Sequence, residues 1–155
     1  AGLAGCGVGM GANYYLDNQR SQYANAEDRL DATIADVRKD NQELQMLSDT
    51  ARSVIADDKR KIEQIKQDIA ANKVQSAQAQ KQLAEIDANT AYLKKSLADV
   101  RSKQQEWTKV AAAERNNGAR TDTLDAEIGK MQKQIAQLES EIDQLYQQRS
   151  SIRLG

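Results

Sequence analysis

A chain of 155 residues with no Pro, no Phe, no His and one Cys excludes several classes of function before any motif is sought. Aromatics are 4% and charged residues 29%, and 23 of the apolar residues are Ala, so there is little side-chain bulk with which to fill a compact core. One Cys without His supplies neither an intramolecular disulfide nor a metal-ligand set, and 22 basic residues interleaved with 23 acidic ones, net charge −1, make no electrostatic footprint for nucleic acid.

A Pro-free sequence rich in Ala, Gln, Lys, Arg, Glu and Asp is what uninterrupted helix requires, because Pro removes a helix hydrogen bond and clashes with the preceding turn. The expectation is an all-α protein. Its one sharp composition boundary lies between Leu16 and Asp17: five of the eight Gly fall in the first eleven residues, and no charge precedes Asp17. Residues 1–16 therefore read as a Gly-rich apolar segment. Within it Gly5/Gly9 and Gly7/Gly11 have the small-xxx-small spacing that lets helix backbones approach closely in a membrane, and Tyr14 and Tyr15 follow where a membrane–water interface would lie. Sixteen residues fall short of the roughly 20 that span a bilayer, so the apolar run is expected to start upstream of Ala1 or to be one arm of a membrane hairpin.

From residue 17 to 115 the sequence predicts a long stalk helix. Leu30, Ile34, Val37, Leu44, Ala51, Ile55, Ile62, Ile65 and Ile69, then Ala79, Leu83, Ile86, Leu93, Leu97, Val100, Trp107 and Ala111, occupy a and d positions of one unbroken heptad frame. Polar residues interrupt the seam at Asn41, Ser48, Asp58, Asn72, Ser76, Thr90 and Gln104. Such a stripe calls for partner helices. The frame fails over 116–121, where Asn117 and Gly118 suit a helix C-terminus and Thr121 or Asp122 can cap a following helix. It resumes over 122–153 with Leu124, Ile128, Met131, Ile135, Leu138, Ile142, Leu145 and Ile152, displaced by three residues.

With Gly118 at the tip of a helical hairpin, the expected core pairs Leu93, Leu97, Val100 and Trp107 with Ile128, Ile135, Leu138 and Ile142. A continuous helix with a three-residue phase slip is the competing reading. Trp107 reads as a plug near the hairpin end, given the room left by Ala111, Ala112 and Ala113. The hairpin leaves the stripe from Leu30 to Ile69 without a partner inside the chain, which predicts self-association or a docked helix.

The run Gly7-Val8-Gly9-Met10-Gly11-Ala12-Asn13-Tyr14-Tyr15-Leu16-Asp17-Asn18-Gln19 resembles the closing half of bacterial glycine-zipper segments of the YMGG type. That resemblance implies a Gram-negative envelope location, with the polar domain in the periplasm. Leu3-Ala4-Gly5-Cys6 also resembles a lipobox, which implies lipidation of Cys6; the intact Gly5–Cys6 bond favours Cys6 as a small buried packing residue instead.

Gly7-x-Gly9-x-x-Ala12 lacks the preceding strand that a dinucleotide fingerprint needs. The carboxylate pairs Asp36/Asp40 and Glu139/Asp143 read as solvated helix faces, since no enclosed pocket is evident to tune them. The expectation is thus a non-enzymatic structural or adaptor component of a bacterial envelope assembly: a membrane-proximal Gly-rich helix, a long coiled-coil stalk and a distal antiparallel hairpin. Its expected partners are a second copy, or a partner helix in a membrane complex, and the membrane itself. No cofactor, metal, nucleic acid or small-molecule substrate is expected. The alternatives are a lipoprotein component of a secretion or efflux apparatus and a soluble coiled-coil chaperone.

Overall fold

The computed structural model describes residues 11–73 and 75–153. Four helices form nearly all of it: α1 (Ala12–Gln22), α2 (Ala26–Ala70), α3 (Ser76–Asn116) and α4 (Asp122–Ser150). No strand occurs among the described residues, and the protein is all-α.

Several helix ends have a local cause. Asn25 caps α2 by accepting a hydrogen bond from the Glu27 N–H at 2.7 Å, and Glu27 and Asp28 place negative charge at the positive end of the helix. Asp122 and Asp125 do the same for α4, where the Thr121 hydroxyl donates to Asp125. Gly118, at φ 86, ends α3 in a left-handed turn in which the Ala119 N–H returns to the Glu114 carbonyl at 3.0 Å. Asn72, at φ 58, ends α2 in the same way, with the Lys73 N–H on the Asp68 carbonyl at 2.8 Å.

This second turn corrects the single stalk helix expected over 17–115. The chain breaks at 23–25, where Tyr23 is extended at φ −126 and ψ 107, and again at 71–75. The expected boundary between residues 16 and 17 falls inside α1. Folding back at Asn72 is favoured because it buries apolar area that one continuous helix would leave in water, at roughly 1.5 to 3 kcal/mol for each Leu or Ile.

α2 and α3 run antiparallel: Arg29 meets Glu114, Asp40 meets Trp107 and Asp58 meets Asn89. α4 returns antiparallel to α3, with Arg115 on Asp125, an Arg101–Glu139 pair and Arg149 on Asp87. It therefore lies parallel to α2, which it joins through Arg38–Glu127 at 3.2 Å and Arg52–Glu141 at 3.1 Å. Val37, Leu44, Ile62, Ile86, Val100, Leu124, Met131, Leu138 and Leu145 are among the residues lost to solvent between these three helices.

The stripe from Leu30 to Ile69 was expected to lack a partner inside the chain. It is covered by α3 and α4 of the same chain, so it supplies no reason for assembly. Beyond Arg149, α2 and α3 continue as a two-helix tip to the turn at Asn72, with Ile65 and Ala79 buried between them. At the other end α1 lies antiparallel to α2, against both α2 and α3.

Candidate functional site

The densest polar arrangement lies where α1, α2 and α3 meet. Trp107, on α3, is fully buried and donates its indole N–H to Asp40 Oδ2 at 2.7 Å. Asp40 is itself at 0% exposure, and the Lys103 ammonium stands 3.8 Å from its other oxygen, offsetting a charge that burial would otherwise penalise.

Tyr15 of α1 closes the cluster. Its ring meets Trp107 edge-on with centroids 5.0 Å apart, and its hydroxyl donates to Asp36 Oδ2 at 2.5 Å. Burial, then the hydrogen bond to Asp36, pushes the Tyr15 phenol well above its ordinary range, so it stays a neutral donor. At the start of α1 the Glu106 carboxylate accepts the Ala12 N–H at 2.6 Å, placing an anion at the positive end of that helix. The geometry clamps α1 to the α2–α3 pair by one aromatic contact and two carboxylates.

Three further buried acids link the long helices. Glu114, at 0% exposure, takes the Arg29 guanidinium on both oxygens at 3.1 and 3.2 Å. Burial opposes the charge on Glu127, but Lys130, Arg38 and Asn41 outweigh it and hold the carboxyl below its usual range. Asp58 has no comparable cation: burial raises its pKa, and Asn89, donating at 3.3 Å, only partly offsets the effect.

The expected site residues separate into four groups. Gly5, Cys6, Gly7 and Gly9 lie outside the described residues. Gly11 sits just before α1 at φ 90, a conformation that favours Gly, and a Cβ there would approach Glu106 Oε2 at 4.0 Å. Leu93, Leu97, Val100, Trp107, Ile128, Ile135, Leu138 and Ile142 are all buried.

Tyr14 is 56% exposed, but Tyr15, expected beside it at a membrane interface, is 4% exposed and belongs to the core. The correction follows from its two partners, Trp107 and Asp36. Trp107 is likewise a junction between three helices rather than an end plug. Asp36 and Asp40 are not a solvated face: both carboxylates point inward, each accepting from an aromatic donor.

Asp40, Lys103 and Glu106 lie outside the seam that the heptad identifies. A third and fourth helix widen the buried face beyond a and d, and a two-helix reading has no place for them. Two open cavities, about 470 Å³ beside Ala12 and Glu106 and about 420 Å³ between Thr90 and Tyr146, lie at the surface. Among the described residues no three acids or Cys converge as a metal site, and no helix is long and apolar enough to cross a membrane. Compared with family models, with curated proteins and with solved structures, the chain matches none of them.

Proposed function

We propose that this chain is a non-enzymatic structural or adaptor component of a bacterial envelope assembly, with its Gly-rich segment in a membrane and its helices projecting into the periplasm as a coiled-coil rod. The observation that carries this reading is the junction at Tyr15. Gly11, the last Gly of the Gly-rich run, directly precedes α1, and α1 is packed onto the long helices through Ala12, Tyr15 and Leu16. A head joined in this way sets the position of a rod whose longest helix, at 45 residues, extends about 67 Å.

The second reading, a lipoprotein component of a secretion or efflux apparatus, is favoured by the two-helix tip, where α2 and α3 extend past the end of α4. Vesicle flotation of the full chain tests the first reading. Wild type should float with vesicles, and Gly5→Leu with Gly9→Leu should reduce its association in detergent, since added side chains block backbone approach. Gly11 is left intact because its φ of 90 is needed to start α1. A chain that stays in the aqueous phase, with the same size as the double variant, would overturn the anchor and favour the soluble chaperone.

A further inference from the structure

α1 has 11 residues, too few to be a stable helix alone, so it persists because the α2–α3 groove holds it. The link to α2 is only Tyr23-Ala24-Asn25, and none of the three is Gly or Pro. Both sides of this link are already helical: the Tyr23 N–H donates to the Gln19 carbonyl at 2.8 Å, and the Arg29 N–H donates to the Asn25 carbonyl at 3.0 Å. Making 23–25 helical would fuse α1 and α2 into one helix over 12–70 and give the N–H groups of 24–28 carbonyl partners four residues back. Of these, Glu27 now relies on the Asn25 side chain.

We propose that α1 exchanges between two copies of this chain: residues 23–25 straighten, and α1 of each copy docks in the α2–α3 groove of the other. The directions agree with this. Bent, α1 runs antiparallel to its own α2; straight, it is collinear with its own α2 and, across a two-fold axis, antiparallel to the α2 of its partner. The groove then receives the same occupant in the same direction, with Tyr15 on Trp107 and Asp36 and with Glu106 at the Ala12 N–H. Such an exchange needs no new surface, only a hinge with two allowed conformations. The exchange rests on the 23–25 link and the groove around Trp107, not on the proposed function or the membrane segment.

The test uses the full chain carrying Gly5→Leu and Gly9→Leu, so that loss of head association is read separately. Sedimentation over a roughly hundredfold range of concentration should show a monomer–dimer equilibrium. Asn25→Ala, which removes the cap of the bent form, should tighten the dimer at least about fivefold. Ala24→Pro should weaken it about a hundredfold, because Pro blocks the straight helix while suiting the extended Tyr23 before it.

Trp107 is the only Trp, so its emission reports the groove directly. It should remain shielded in monomer and dimer, whereas Tyr15→Ala should red-shift it and abolish the dimer. Tyr15→Phe, which loses only the hydroxyl bond, should weaken the dimer partially and guards against misfolding of the alanine variant. An Asn25→Ala chain that stays monomeric at every concentration would overturn the proposal. So would a dimer that survives Tyr15→Ala while Trp107 is exposed.

Discussion

Trp107 and Asp40, 67 residues apart in sequence, share a 2.7 Å hydrogen bond at which neither residue is accessible to solvent. It fixes how far α3 is displaced along α2. Because the acceptor is a wholly buried carboxylate, the donor matters more than the area of its ring: an unpaired buried acceptor loses its solvation without compensation. Trp107→Phe retains a large apolar ring but removes the N–H. It should destabilise the fold by about 2 to 3 kcal/mol in urea denaturation, and Asp40→Asn, which keeps an acceptor for the indole but leaves the Lys103 ammonium without its counter-charge, should destabilise it at least as much.

Asp58 gives a prediction of opposite sign. Burial raises its folded-state pKa, so the folded chain holds a proton there more readily than the unfolded chain does. The charged form works against folding at neutral pH, and the penalty is relieved as pH falls through the folded-state pKa. Asp58→Asn should therefore stabilise the protein by about 1 kcal/mol at pH 7. The gain should shrink on acidification and be gone below the unfolded pKa of about 4. Denaturation midpoints of both chains across that range test this directly.

Glu127 behaves in the reverse way, since Lys130, Arg38 and Asn41 overcome burial and lower its folded-state pKa. Its stabilisation is present above the unfolded pKa of about 4.3 and is lost as pH falls through the folded value. Glu127→Gln should lower stability by about 1 to 2 kcal/mol at pH 7, and the two chains should converge in acid. A constant difference from neutral to strongly acidic pH would count against the ion-pair account.

The two left-handed turns make a matched pair. A Cβ on Gly118 would meet nothing within 4 Å, so Gly118→Ala introduces backbone strain without a clash and should reduce stability by about 1 to 2 kcal/mol. Asn72 already occupies that region at φ 58, and Asn72→Gly should be neutral or stabilising by a few tenths of a kcal/mol. Thermal melts of the two variants, compared with wild type, separate these effects.

The turn at Asn72 also explains why the sequence yields some of this fold and conceals the rest. Apolar seams over 30–111 and 124–152 are plain in the sequence, as are the signals at Asn117-Gly118. The heptad frame, however, runs unbroken through 71–75, because the spacing of Ile69, Asn72, Ser76 and Ala79 is the same in a turn as in a helix. The available signal was subtle: Asn72 and Ser76 are the only two consecutive polar positions in the first seam, and Asn is the residue after Gly that best tolerates a left-handed conformation.

The site was less legible than the core. Asp40 precedes a seam position and reads as solvated until α1 and Trp107 are seen to cover it. Tyr15 reads as interfacial beside Tyr14, because sequence neighbours on a helix face differently and only the fold selects which of the two is buried.

The salt bridges between α2 and α4 have a consequence for sliding. Arg38 and Arg52 are two heptads apart, as are their partners Glu127 and Glu141, while Gln45 and Gln134 occupy the intervening heptad positions. An apolar seam that repeats every seven residues is nearly indifferent to a one-heptad slide. The charges are not: such a slide sets Arg38 against Gln134 and Arg52 against Gln148 in one direction, and Arg52 against Gln134 in the other. Partly exposed pairs of this kind contribute only about 0 to 1 kcal/mol each to stability. Their alternation with Gln acts as a vernier, admitting one alignment of two otherwise repetitive surfaces and so fixing how far the tip stands clear of the end of α4.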